Sequence, residues 1–164
     1  VINMNFIIRK ANQYDMGDVL SLIKELALFE KEPDEVEISQ DELVKDGFGK
    51  KKSFKCFVAE YMDSLVGIAL FYPRYSTWKG PTFHLEDLIV TKTMKGKGIG
   101  TKLLYAFVNY AKNEGVKRVE WEVLDWNKKA IDFYNKNGAV IFNDWKIVKM
   151  SSKSMINFLA KNKS

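Results

Sequence analysis

Val90-Thr91-Lys92-Thr93-Met94-Lys95-Gly96-Lys97-Gly98-Ile99-Gly100-Thr101 is the stretch that decides the fold. It lies between a strand-like run, 83–91, and a segment where Ile99, Leu103, Phe107, Tyr110 and Ala111 recur at helical spacing. Glycines at such a junction let the backbone take positive φ and approach a ligand closely. The free N–H groups of the first helical turn then point at an anion, aided by the helix dipole. Lys92, Lys95, Lys97 and Lys102 add charge, and no acid lies among them. The stretch reads as a diphosphate cradle, although a bare turn and helix cap would use the same glycines. The spacing is not that of a P-loop. A dinucleotide fingerprint starts at Gly96-Lys97-Gly98, but its third glycine comes one residue early at Gly100, and Thr101 stands where the last glycine is needed.

Outward from this turn the pattern alternates. Phe6-Ile7-Ile8-Arg9 reads as an opening strand. A helix is expected from about Asp15, with Val19, Leu20, Ile23, Leu26 and Ala27 on one face, ending before Pro33. Ser39 and Glu42 have capping-box spacing and start a second helix, stopped by Asp46-Gly47-Phe48-Gly49. Runs 54–61 and 65–72 suggest a hairpin, and 83–91, largely apolar, a central strand. After the helix that ends near Gly115, 118–124 is strand-like. Asn127 caps a further helix up to Asn137-Gly138, 139–142 and 145–149 look like two closing strands, and 152–160 suggests a terminal helix. The chain opens β-α-α-β-β instead of with a βαβ unit. An α+β (α/β) layer on one mixed sheet follows, as a single domain over 4–164. Met4 is read as the native start, behind Val1-Ile2-Asn3.

Composition narrows the chemistry. Cys56 is the only cysteine and lies in an apolar run, where a buried inert thiol is expected. His84 is the only histidine. A thiol cluster, a histidine metal site and a Ser/His/Asp triad therefore lack parts, and no metal is expected. No apolar run approaches the roughly 18–20 residues of a membrane span, and the N-terminus has no signal-peptide pattern. A cytoplasmic protein without a membrane or nucleic-acid partner is expected. The net charge of +5 is unevenly spread, with Glu30, Glu32, Asp34, Glu35 and Glu37 set against the basic glycine turn. Both regions could equally be solvated surface.

Lys95-Gly96-Lys97-Gly98-Ile99-Gly100 resembles the acetyl-CoA loop of the GNAT N-acetyltransferases, [QR]-x-x-G-x-[GA], with Lys95 in place of Gln or Arg. Leu22–Ala27, Asp46–Gly49, Leu85-Glu86-Asp87, Asp125-Trp126-Asn127 and Ile131-Asp132-Phe133-Tyr134 with Gly138-Ala139 resemble, in order, blocks of the diamine (spermidine/spermine-type) N-acetyltransferases. Tyr75–Gly80 and Val123–Asn127 are most similar to the thialysine N-epsilon-acetyltransferase branch. The resemblance implies a twisted mixed sheet of about seven strands, split into a V and flanked by helices on both faces. It also implies acetyl-CoA as co-substrate, direct attack in a ternary complex, and a homodimer packed through C-terminal strands.

Acetyl transfer to an amine has three demands. An amine with pKa near 10.4 is only about one part in a thousand neutral at pH 7.5, so a base must take its proton. The tetrahedral oxyanion needs donors, and the departing thiolate needs a proton or a hydrogen bond. The resemblance implies Glu86 as base, directly or through water, or as a carboxylate that only binds the acceptor. It implies Tyr134 as acid or hydrogen-bond donor to the sulfur, and Asp87 as a supporting carboxylate. Leu88, Ile89 and Val90 would line the acetyl-pantetheine arm. Lys95, Gly96, Lys97, Gly98, Ile99, Gly100 and Thr101 would hold the pyrophosphate, and Asn127 would touch the arm beside Tyr134. Phe29, Glu30, Trp78, Glu86, Glu120, Trp121 and Glu122 would line the acceptor channel. Phe29 stands where a tyrosine is common and Ser76 where the polyamine branch has an acid, which weakens the channel for spermine. The acceptor is then a thialysine- or lysine-like amine, a diamine or a polyamine. A protein lysine or N-terminal acetyltransferase is the nearer alternative, and a non-catalytic acyl-CoA or nucleic-acid binding module the remote one.

Overall fold

The computed structural model describes residues 5–163, so Met4 as the start lies outside them. The strands are β1 (Ile7–Lys10), β2 (Lys55–Tyr61), β3 (Ser64–Ser76), β4 (Gly80–Val90) and β5 (Val119–Glu120). The helices are α1 (Met16–Phe29), α2 (Gln40–Phe48), α3 (Ile99–Asn113), α4 (Lys128–Lys136) and α5 (Ser152–Lys161). Two compact units divide between Glu122 and Val123. Among the described residues no helix is long and apolar enough to cross a membrane.

The first unit is a sheet in the order β1-β2-β3-β4-β5, antiparallel except for the parallel pair β4–β5. Alternation along β2 and β3 builds two cores. Cys56, Val58, Ile68 and Leu70 pack with Met16, Val19 and Leu22 of α1 and Leu43 of α2. Phe57 and Phe71 point the other way, to Phe107 and Tyr110 of α3. Helices thus cover both faces. Gly67 is required where α3 crosses, because a Cβ there would lie 2.8 Å from the Ile89 carbonyl oxygen and 3.0 Å from Leu103. The caps follow the sequence. Ser39 accepts from Glu42 N–H, and the Glu42 carboxylate accepts from the Ser39 N–H, which starts α2. Asp15, at the start of α1, takes both terminal nitrogens of Arg9 at 2.7 and 2.9 Å.

The seven-strand expectation becomes five among the described residues, and 118–124 shortens to Val119–Glu120. Residues 139–142 and 145–149 form no strand. Their apolar side chains are exposed, among them Val140, Phe142, Trp145, Ile147 and Val148. β-propensity reports fit to a half-buried pleated surface, and without a partner's ladder it does not make a strand. The second unit holds α4 and α5, begun by side-chain caps from Asn127 and Ser151.

Candidate active site

A bulge in β4 decides how its polar residues point. Leu85 registers against Phe71 and Asp87 against Leu70, so Glu86 is the extra residue opposing nothing on β3. Such a bulge bends the strand and re-aims side chains. Leu85 shares the α3 face with Phe71, Asp87 shares the α1 face with Leu70, and Glu86 is left exposed between them.

Glu86 is nevertheless fixed. The Tyr72 hydroxyl donates to its Oε2 at 2.7 Å. Tyr72 stacks on His84, ring centres 5.2 Å apart, and Arg74 Nη1 lies 3.4 Å from His84 Nδ1. A guanidinium can only donate, so in a neutral imidazole this contact makes Nδ1 the acceptor and leaves the ring N–H at Nε2. That nitrogen is 3.7 Å from Glu86 Oε2, a favourable charge–dipole contact too long for a hydrogen bond. Burial, followed by the bond to Glu86, pushes the Tyr72 hydroxyl up to about 12, which keeps it a donor at neutral pH. Glu86 Oε1 has no hydrogen-bond partner among the described residues and can meet an ammonium.

Asp87, half-buried one residue on, makes no hydrogen bond among the described residues. Burial, with the charges of Glu86 and Glu30 behind it, pushes its carboxyl up to about 7. An acid whose folded pKa lies above its unfolded value is stable in place when protonated. Its contribution is full below the unfolded pKa and is lost as pH rises through about 7. Ionised Asp87 thus costs the free fold stability that a bound ammonium would offset. Asp87→Asn is expected to be more stable than wild type at pH 8.5, by on the order of 1–3 kcal/mol at a half-buried group and seen as a higher melting temperature, with the gap narrowing as pH falls below about 7 and closing only below about pH 4. Parallel melting curves across that range would show that the carboxyl is an ordinary one.

The glycine turn has the form an anion needs. Gly98, at φ 82°, is the N-cap of α3, and no side chain caps the helix. Its first N–H groups have no intrahelical acceptor. Gly96 also takes positive φ, 79°. Lys97 Nζ meets Met94 Sδ at 3.4 Å. Lys95 Nζ sits 4.8 Å from the ring centre of Phe29 at the end of α1, so a residue assigned to the cofactor and one assigned to the acceptor touch. Glu25 of α1 ties down the start of the turn, accepting from Thr91 Oγ1 and the Lys92 N–H, both at 2.8 Å.

β5 pairs with β4 only at Phe83↔Val119 and His84↔Glu120. From Glu86 to Val90 the outer edge of β4 has no strand neighbour within this unit, and alternate N–H groups there point away from β3. The Thr91 N–H donates to the Val66 carbonyl, so by alternation Ile89 faces Ile68 on β3, and Leu88 and Val90 present their N–H groups at the unpaired edge of β4.

The remaining residues have less uniform settings. Glu30 caps α1 at its C-terminus. Trp78 is exposed in the β3–β4 turn, where Ser76 Oγ accepts from the Trp78 and Lys79 N–H groups. Glu120 is committed to Arg74 at 3.0 Å and Arg118 at 2.8 Å, so a cationic acceptor competes there with two guanidiniums. Trp121 and Glu122 follow β5, half-buried and exposed respectively. In the second unit Asn127 Oδ1 accepts from the Ala130 N–H at 3.2 Å. Tyr134 is buried in α4 with its ring 5.4 Å from that of Phe133. Tyr72, Arg74 and the polar role of His84 escape a reading of motifs. Their only sequence signal is the hairpin register, which sets Tyr72 opposite His84.

Residues 19–139 match the acetyltransferase (GNAT) family. The chain belongs to this family. Acetyltransferases of the GNAT family use acetyl-CoA as co-substrate, and the chain is an N-acetyltransferase. It is 41% identical over 140 residues to thialysine N-epsilon-acetyltransferase of Bos taurus, covering 80% of this chain and 82% of that protein. It is 32% identical over 162 residues to spermidine/spermine N(1)-acetyltransferase-like protein 1 of Homo sapiens, covering 93% of this chain and 23% of that much longer protein. In fold it resembles an integron cassette protein from the mobile metagenome of V. cholerae, with a TM-score of 0.78 at 22% identity over 98% of this chain and 100% of that one.

Proposed function

We propose that this GNAT enzyme transfers acetyl from acetyl-CoA to the primary amine of a small cationic acceptor, thialysine- or lysine-like before diamine or polyamine, by direct attack in a ternary complex. The observation that carries the reading is Glu86, turned out by the bulge and held through one oxygen by Tyr72, beside half-buried Asp87. The acceptor ammonium meets Glu86 Oε1, and Glu86 takes its proton, directly or through one water. Asp87 and Glu30 add negative potential on the same side. The amine then attacks the thioester carbonyl while the outward β4 backbone N–H of Leu88 or Val90 donates to the developing oxyanion. The α3 N-terminus and Lys95 to Thr101 hold the diphosphate, Asn127 holds the pantetheine arm, and Tyr134 donates to the departing sulfur. The whole functions as one GNAT domain in the cytoplasm.

The exposed apolar side chains of 140–150 support the homodimer, since a second copy would cover them. A monomeric mass by sedimentation at micromolar concentration removes this part of the reading.

Acceptor choice is tested by thiol release with thialysine, lysine, short diamines, spermidine, spermine and a lysine-containing peptide. One well-placed ion pair at a partly desolvated site is worth about 1–3 kcal/mol, roughly 5- to 150-fold in specificity. With Ser76 in the turn and Glu120 bound by arginines, kcat/KM for thialysine should exceed that for spermine by at least about tenfold. Ser76→Asp should narrow the gap, because an aspartate can accept the same two turn N–H groups and adds a charge. A wild-type preference for spermine overturns the acceptor class, and a preference for the peptide moves the enzyme to protein substrates.

A further inference from the structure

A cavity of about 230 Å³ lies at the end of the sheet where β1 stops and β2 begins, lined by Phe48, Phe54, Phe57, Phe71 and Tyr110 and edged by Lys10, Lys52 and Lys55. It is not part of the transfer site. Its lining includes neither Glu86 nor the glycine turn. Tyr110 lies eleven residues beyond Ile99 on α3, about 16 Å along the helix at 1.5 Å per residue.

The walls are largely aromatic. Phe57 stacks on Phe71 at 5.8 Å with an interplanar angle of 18°, and Tyr110 meets Phe57 edge-on at 6.1 Å. The rim is positive. No acid is among the lining residues, and none of the three lysines forms an ion pair among the described residues. Lys10 Nζ instead sits 5.7 Å from the Tyr110 ring centre, a cation over a π face that an anion could share. The volume is below the roughly 300–1,000 Å³ of drug-sized ligand sites. A nucleotide is therefore too large, while one or two fused rings fit.

We propose that this cavity binds a small aromatic carboxylate, its ring against the Phe57–Tyr110 wall and its charge between Lys10, Lys52 and Lys55. Flat apolar surface alone would accept a neutral ring, so the charge requirement separates a site from a greasy hollow. The exposed lysines can be changed without touching the core, which makes the test independent of folding and of acetyl transfer.

The probe is 2-naphthoate, with 2-naphthamide as its neutral counterpart, titrated into the full chain and followed by amide chemical shifts and calorimetry. Naphthoate is expected to shift amides at Gly47, Phe54 and Tyr110, and to bind at least about fivefold more tightly than the amide, the worth of one or two exposed ion pairs. Lys52→Gln with Lys55→Gln should weaken naphthoate by a similar factor and leave naphthamide and the melting temperature unchanged. Equal binding of the two probes, indifference of naphthoate to the lysine changes, shifts confined to Gly98–Thr101, or no saturable binding would each overturn the proposal.

Discussion

Glu86→Gln is expected to lower kcat/KM for the amine acceptor by about 10²- to 10³-fold, within the range for removal of a general base. Glutamine suits the test because its carbonyl oxygen can still accept from Tyr72, so the side chain stays where the 2.7 Å bond holds it. What disappears is the negative charge and the place for a proton. How the loss is divided between constants identifies the role. If Glu86 takes the proton, kcat falls at saturating acceptor and the base-dependent limb of the pH profile moves. If it only attracts the ammonium, acceptor KM rises and kcat survives. The base assignment fails in that second case, leaving a carboxylate that binds. Tyr72→Phe provides the comparison. It keeps the charge but frees the carboxylate to move, and a loss of roughly tenfold or less is expected from one hydrogen bond.

The helices and the hairpin were legible in the sequence because their signals are local. The Ser39 and Asn127 caps, the 3.6-residue period of α1 and α3, and the glycines at Gly96 and Gly98 each act within a few residues. The polar network at Glu86 was only half legible. The second hairpin, turning at 77–79 and seen only in the structure, sets Tyr72 opposite His84, and no local pattern announces that Leu85 and Asp87 fall on opposite faces. That depends on an extra residue in β4, whose position is fixed by pairing with a strand fourteen residues away across the turn from Tyr72 to Glu86. Two carboxylates with adjacent numbers thereby acquire different environments, one exposed and hydrogen-bonded, the other half-buried with its pKa raised to about 7. The same limit explains Glu120. The resemblance makes it an acceptor anchor, while Arg74 reaches it from β3, on the far side of β4, and Arg118 from just before β5. In 139–142 and 145–149 the apolar, strand-favouring residues are there, but pairing needs a partner backbone that a strand's own sequence does not contain.

Tyr134→Phe is expected to lower kcat about 10²-fold while the acetyl-CoA KM changes little. The substitution removes one oxygen from a buried ring packed beside Phe133, so the side chain of α4 keeps its place and the helix its cap at Asn127. A phenol near pKa 10 is a weaker acid than a thiol near 8.5, so complete transfer of its proton to the thiolate runs uphill by about 2 kcal/mol between unperturbed groups. The energetically sound role is a hydrogen bond that strengthens as charge collects on sulfur, present in the transition state and nearly absent in the ground state. That role has a further consequence. An acetyl donor whose thiol is more acidic than that of coenzyme A places a more stable charge on sulfur and needs the donor less, so the gap between wild type and Tyr134→Phe should shrink. Single-turnover rates with the two donors, measured where chemistry limits turnover, check both statements. A variant that keeps most of its single-turnover rate with acetyl-CoA would reduce Tyr134 to packing. A gap that does not depend on the thiol's acidity would move the hydroxyl from the leaving sulfur to some other part of the reaction.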